Sequence, residues 1–393
     1  MQTGMTIEGL LTEVQRQANV KRDFVASTAE HIRMVAMPDF PDGVAVVLQA
    51  VQAAIDTQEP ETIETATALA ASGPLQRLKV DEHAHRQIAE RLQIPWRYYF
   101  RMLRDHTDIV IKSVNALFER EPSTRLLRTL DGRLRAFLSN RYRRIDNDTV
   151  LGAALPPIVK GDLPNALLSA NVTDRNLYLK VVFTGPELRQ EIGTAPDGSP
   201  DYVRPGFSLR NSEIGTGKVS VSGFFYRSFC YNGCVFGKTD GFEFSRSHLG
   251  GALIAGSDFE VMSDKSKELE DAAILSQVSD VMTAIATPEF VNAMGDKLRA
   301  LRTGEVITNP VPAVELLSND YGLTQGEENQ VLQNLIEDKD YSRWGVVNAV
   351  TKVANNEATD YDRASDLEIM GAKLIDITNA NWSRLVNAEP VAA

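Results

Sequence analysis

The chain predicts an α+β fold, with an antiparallel, hairpin-rich central sheet flanked by helices and followed by a helical C-terminal region. Three observations carry this expectation. Apolar residues recur at helical spacing through the first 120 or so residues, the period drops to two between Thr124 and about Gly250, and helical spacing returns from about Ser263. The 393 residues, 43% of them apolar, suit a globular chain with a sizeable core.

In the first region, residues 1–120, Ile7, Leu10, Leu11 and Val14 share one face of a helix within Thr6 to Phe24. Asp81 is placed to cap a helix carrying Ala84, Ile88 and Leu92. Pro95 opens a second helix, Trp96 to Leu103, since proline suits a first helical position. A third runs from about Thr107 to Glu119 with Val110, Val114, Leu117 and Phe118 inward. One or two short strands complete the region, and Glu59 to Ala71, poor in large apolar residues, reads as an insertion.

In the β-rich middle, residues 121–262, Asp131-Gly132 separates two alternating runs, a strong hairpin signal. Leu177, Leu179, Val181 and Phe183 alternate with Tyr178 and Lys180 in another strand. Phe207 to Arg210, Lys218 to Cys230 and Val235 to Phe244 supply more. Asp146 and Asn147 cap a short helix expected to stop at Pro156-Pro157. In the last region, residues 263–393, Ile274, Val278, Val281, Met282 and Ile285 form a helical face. Pro288 starts the next helix, and three more lie near Gly326 to Glu337, Arg343 to Asn355 and Tyr361 to Ile377.

No apolar run reaches the roughly 18–20 residues that span a bilayer, and Gly43 to Ile55 is broken by Gln49 and Gln52, so no membrane partner is expected. Two cysteines, Cys230 and Cys234, speak against a disulfide framework and for a reducing, cytoplasmic compartment. The net charge is −12, yet residues 266–393 hold 10 Lys and Arg against 21 Asp and Glu, or −11. The rest of the chain is therefore near neutral, and basic residues are free to cluster there.

They cluster in the hairpin. Pairing the strands across a two-residue turn sets Leu130 against Arg133, Thr129 against Leu134, Arg128 against Arg135 and Leu127 against Ala136. Leu127, Thr129, Leu134, Ala136 and Leu138 then face a core, and Arg128, Arg133 and Arg135 share the other side. Directly opposed like charges cost a sheet up to about 1 kcal/mol, a cost that an anion offsets. Arg141, Arg143 and Arg144 follow, with Tyr142 as a stacking platform, and Arg210, Lys218 and Arg227 extend the track among Phe224, Phe225, Tyr226 and Phe229. The competing reading pairs these arginines with carboxylates of the acidic C-terminal helices.

Other motifs fail. Gly215-Thr216-Gly217-Lys218 lacks the glycine a phosphate loop needs at position 212 and the hydroxyl it needs at 219. Cys230, Cys234 and His248 do not complete a metal site, and His83 and His85 lie two apart on a helix. No motif calls for a cofactor. A catalytic reading needs clustered carboxylates, for which Asp146 and Asp148 are the candidates. Gln87 to Pro95, with Tyr98 and Leu103, has the rhythm of a helix-turn-helix. Trp96, Tyr98, Tyr99 and Phe100 are bulky for a groove-reading face, so a helical hairpin packed on the sheet fits better.

His83-Ala84, Gln87-Ile88-Ala89, Ile94-Pro95 and Tyr98 combine with Arg128-Thr129-Leu130-Asp131-Gly132, Arg135 to Ser139 and Arg141-Tyr142-Arg143. Together with Asn211-Ser212-Glu213, Gly215, Cys230 and Asn232-Gly233, this set resembles the phage/plasmid-like family catalogued as domain of unknown function 932. The resemblance spans about His31 to Gly250 and omits the acidic tail. It implies a protein of a phage, plasmid or mobile element, in a bacterial or phage-infected cell, and no particular activity. The outline is also similar to that of phage single-strand annealing proteins, by analogy of fold alone.

The expectation is a non-catalytic single-stranded DNA-binding protein, acting as a homo-oligomer in annealing or recombination. Its contacts would be Arg128, Arg133, Arg135, Arg141, Tyr142, Arg143, Arg144, Arg210, Lys218 and Arg227. The alternatives are a regulatory protein whose acidic helical tail binds a protein partner, and a helix-turn-helix-like DNA binder.

Overall fold

The computed structural model describes residues 4–37, 44–48, 77–159, 165–195, 197–227, 232–235, 243–246, 264–356 and 359–389. The stretch 59–71, Phe229, Cys230 and His248 lie outside them. The fold is α+β, as expected.

Helix α1 (Ile7–Val20) leads into β1 (Arg22–Ser27), β2 (Ile32–Ala36), β3 (Val44–Leu48) and β4 (Arg77–Val80). Three helices follow, α2 (Glu82–Arg91), α3 (Trp96–Asp105) and α4 (Thr107–Arg120), and then the hairpin of β5 (Thr124–Leu130) and β6 (Arg133–Ser139). These strands make one sheet in the order β1-β5-β6-β4-β3-β2, antiparallel except for β4 beside β6. The hairpin was expected to head the β-rich middle. Its partners are instead strands of the first region, short segments in which few alternating positions are available to reveal the period.

Helices α2 to α4 cover this sheet. Ile88, Leu103, Val114 and Phe118 meet Ile32, Met34, Leu127 and Phe137 in one core, where Phe118 stacks on Phe137 at 5.7 Å. At the edge strand β2, the Asn115 side chain accepts from Met34 N at 2.8 Å and donates to Met34 O at 2.9 Å, closing an edge that would otherwise offer free backbone groups.

Helix α5 (Asn147–Val159) starts the second unit, which holds β7 (Asn165–Val172), β8 (Leu177–Phe183), β9 (Gln190–Thr194), β10 (Pro200–Asn211), β11 (Val219–Arg227), β12 (Asn232–Val235) and β13 (Glu243–Arg246). The second sheet runs β12-β11-β10-β8-β7, with β13 on β11 and β9 on β10. Helix α5 continues past Pro156-Pro157, contrary to expectation. Val150, Leu151, Ala154, Leu155 and Ile158 are buried together, and that packing carries the helix two residues beyond the two missing donors.

The C-terminal helices are α6 (Asp264–Ile285), α7 (Pro288–Ala300), α8 (Pro310–Tyr321), α9 (Gln325–Asp338), α10 (Arg343–Val353), α11 (Tyr361–Ile375) and α12 (Asn379–Val386). They share the second core with α1, α5 and the second sheet. No helix among the described residues is long and apolar enough to cross a membrane.

The α2–α3 connection is a short turn between two helices that both pack on the core of the first sheet. Ile94 N donates to Ala89 O at 2.8 Å and Gln93 N to Glu90 O at 3.1 Å, and Gln93 takes the left-handed conformation with φ 54°. This is the place a turn glycine usually holds. The left-handed form costs a residue with a Cβ roughly 1–2 kcal/mol, partly offset by the greater backbone entropy of glycine in the unfolded chain. Gln93→Gly is therefore expected to raise stability by up to about 1 kcal/mol in urea titration. A loss of stability would show that the Gln93 side chain contributes more than its backbone strain removes.

Candidate nucleic-acid interface

The hairpin turn forms as expected, with positive φ at Asp131 (51°) and Gly132 (73°). The register is as read for Leu130 with Arg133 and Thr129 with Leu134, and then a β-bulge shifts it so that Arg128 pairs with Ala136 and Leu127 with Phe137. Arg128 and Arg135 are therefore not directly opposed. They still lie on one side of the sheet, because both reach Glu213, which follows β10.

That side is closed. Arg128 is 0% exposed. Its guanidinium donates to Asp23 at 3.0 Å, to Asp146 at 2.6 Å and to the Glu213 carbonyl at 2.9 Å. Arg135 is buried on the Glu213 carboxylate at 2.9 Å. The Lys21 ammonium sits among Asp146 at 2.8 Å, Glu213 at 3.2 Å and Asp148 at 3.3 Å. The other carboxylate oxygen of Glu213 accepts from Asn147 N at 2.9 Å, at the positive end of α5.

The loop after β10 locks this junction. Asn211 donates to Asn147 Oδ1 at 2.8 Å, Tyr142 OH donates to Ser212 O at 2.8 Å, and Gln87 Nε2 donates to Ile214 O at 3.0 Å while its Oε1 accepts from Phe137 N at 2.7 Å. Gly215, at φ 81°, passes so near Leu138 that a Cβ would come within 2.9 Å of it. Residues from the first sheet, α2, α5 and the β10–β11 loop thus meet in one clasp.

These bonds remove most of the expected interface from reach of a ligand. Arg128 and Arg135 are buried ion pairs. Arg143 meets Glu270 and Asp271 of α6, and Arg227 is buried against Asp201 at 2.6 Å. Tyr142 is half-buried, with its OH donating to Ser212 O. Arg144 lies 4.0 Å from Asp23, Arg133 lies 3.5 Å from Asp81, and Arg210 lies 3.5 Å from Asp366 and over the Tyr178 ring. Arg141 and Lys218 are exposed with no ion pair among the described residues. The physical reason is local neutralisation: a guanidinium facing a second layer of the fold must find a carboxylate there.

Asp146, Asp148 and Glu213 are close enough together to suggest a cation site. Lys21 already bridges all three, so their charge is met by the chain's own ammonium. Burial pushes the Asp146 carboxyl up, but the facing Arg128 and Lys21 charges prevail and hold it well below the usual carboxylate range. Beside the clasp a cavity of about 220 Å³ is lined by Asp81, Glu82, His83, Arg133, Arg135, Asp174, Arg175 and Ile214. Its three carboxylates balance its three guanidiniums, leaving little net field for a phosphate.

An open basic surface lies on α3. Arg97, Arg101 and Arg104, spaced four and three apart, form one exposed stripe. The Arg101 and Arg104 side chains are 74% and 67% exposed. Tyr98, 59% exposed, and Phe100, 45% exposed, flank the stripe. Asp105 pairs with Arg104 at 2.7 Å and approaches Arg101 at 3.9 Å, while Arg97 has no ion pair among the described residues. The helix is held from beneath by Tyr99 and Leu103, with Tyr99 OH bonded to buried His85 Nδ1 at 3.0 Å. Trp96 stacks on Tyr99 at 6.0 Å and takes the Arg86 guanidinium over its ring at 4.7 Å. Taken by bulk alone, Tyr98, Tyr99 and Phe100 look unsuited to an outward face. Helical spacing separates Tyr99 from the other two, and the same spacing aligns the arginines.

No family model, no curated protein and no solved structure matches the chain.

Replacing Arg128 by methionine should lower stability at pH 7 by about 3–5 kcal/mol, because Asp23 and Asp146 lose their buried counter-charge. The sign with pH follows from the depressed Asp146 and Glu213 carboxyls. Their contribution is present above the unfolded value, about 4, and is lost as pH falls through the folded one. The deficit of Arg128→Met measured by denaturant titration should therefore narrow below about pH 4. A deficit that stayed constant across that range would contradict the assignment.

Proposed function

We propose that this protein binds single-stranded nucleic acid, DNA in the first instance, along the exposed face of α3. The observation that carries the reading is the Arg97/Arg101/Arg104 stripe with Tyr98 and Phe100 exposed beside it. Guanidinium groups suit phosphate oxygens, and exposed aromatic rings stack on unpaired bases whatever their identity. Exposed rings of this size favour an open strand over a duplex groove, whose edges are read by smaller polar side chains. The stripe lies on the side of α3 opposite buried Tyr99 and Leu103, and the His85–Tyr99 bond and Trp96 hold the inner face.

Arg141 and Lys218 stay available as further phosphate ligands. Arg128, Arg135, Arg143 and Arg227 of the expected track are spent on ion pairs within the fold. The acidic C-terminal helices meet part of that positive charge through Glu270, Asp271 and Asp366. Annealing or recombination, and assembly into an oligomer that holds an extended strand, belong to the same proposal.

Gel shifts with single-stranded and duplex oligonucleotides at two salt concentrations test it. The native protein should prefer the single strand. Arg97→Glu, Arg101→Glu and Arg104→Glu together should weaken binding at least roughly tenfold. The slope of log affinity against log salt should also become shallower, by about 0.7 for each phosphate that is no longer neutralised. An unchanged affinity and salt slope in the triple variant would overturn the reading.

A further inference from the structure

One group of cations outside α3 lacks the carboxylates that neutralise its neighbours. Arg125, on β5, pairs across the sheet with Ser139, two residues before Arg141. Arg91 ends α2, the helix whose Gln87 is bonded to Phe137 N on β6. Arg91 lies one turn beyond Gln87 and reaches Glu121, two residues before the Ser123 that holds Arg125, while Arg141 N donates to Ser139 Oγ, so all three residues are placed where α2 ends over the sheet.

Their partners are few. Arg125 Nε donates to Ser123 Oγ at 3.1 Å, and its guanidinium lies 5.9 Å from the Phe137 ring centroid. Arg91 has one distant carboxylate, Glu121 at 3.8 Å, and its buried Nε has no partner among the described residues. Arg141 is exposed and has no side-chain ion pair among them. The contrast with Arg128, held by two carboxylates, is direct. Burial, and then the neighbouring Arg91 and Arg141 charges, bring the Arg125 guanidinium down to about 10.

We propose that Arg91, Arg125 and Arg141 form a seat for one phosphate group, with Arg125 held in place by Ser123 Oγ and the Phe137 ring. A doubly charged tetrahedral oxyanion would balance two of the three cations, and Glu121 meets part of the third. The guanidinium forks supply several donors that can converge on one set of phosphate oxygens. The seat is separate from the α3 stripe and does not require that α3 grip a strand.

Thermal unfolding with inorganic phosphate against chloride at matched ionic strength is the test. At ten times its dissociation constant, phosphate should raise the Tm of the native protein by roughly 2 °C. Arg125→Gln and Arg141→Gln should each remove that rise. Arg125→Gln should not lower the Tm in chloride, since it relieves like-charge repulsion, and Arg141 is at the surface, so loss of folding does not confuse the result. Two oligonucleotides of one sequence, with and without a 5′-phosphate, distinguish the source. A several-fold preference for the phosphorylated strand that disappears in Arg125→Gln assigns the seat to a strand end. Stabilisation by phosphate without that preference assigns it to a small phosphorylated molecule. No phosphate-specific rise in the native protein, or its survival in both variants, overturns the proposal.

Discussion

Taking the Arg128 guanidinium out of water costs several kcal/mol unless charges of opposite sign and hydrogen bonds meet it on every side. Asp23, Asp146 and the Glu213 carbonyl do this, while Lys21 and Arg135 hold carboxylates of the same cluster from other directions. These groups come from β1, β5, β6, the start of α5 and the loop after β10. The two sheets are thus joined by a charge cluster rather than by continuous apolar packing, and each member is needed to justify the burial of the others.

That constraint decides where function can lie. A hairpin rich in arginine looks like an open anion track until a second layer covers it. Once covered, its guanidiniums become the links between layers, and their capacity to bind phosphate is taken up by Glu213 and Asp146. The same holds where Lys180 on β8 meets Glu368 on α11, and where Arg227 and Arg302 share Asp201. The acidic C-terminal helices are in part the counter-charge of the basic middle. Among the basic groups that stay open are the outer face of α3 and the incompletely compensated group at the end of α2.

The α+β class and most of the helices were legible because they depend on local signals, such as the 3.6 period of Val110, Val114 and Phe118, or the Asp131-Gly132 turn. The short strands β1 to β4 were not, since four to six residues carry little periodic information. The bulge at Arg128 was also hidden. It sits where Arg128 and Arg135 reach across the junction to Asp23 and Glu213, partners more than 70 residues away in sequence. The i, i+4, i+7 spacing of Arg97, Arg101 and Arg104 was present in the chain from the start. Its meaning needed the orientation of the helix, which Tyr99 and Leu103 settle by facing the core.

The central claim is a division of the arginines into those used inside the fold and those left to a ligand. Arginine-selective modification with phenylglyoxal, mapped by mass spectrometry with and without a single-stranded oligonucleotide, reads this division residue by residue. Arg97, Arg101 and Arg104 should react in the free protein and be protected by the strand, while Arg128 and Arg135 should be inert in both conditions. Ready modification of Arg128 or Arg135 that the oligonucleotide suppresses would contradict the account and return the interface to the hairpin.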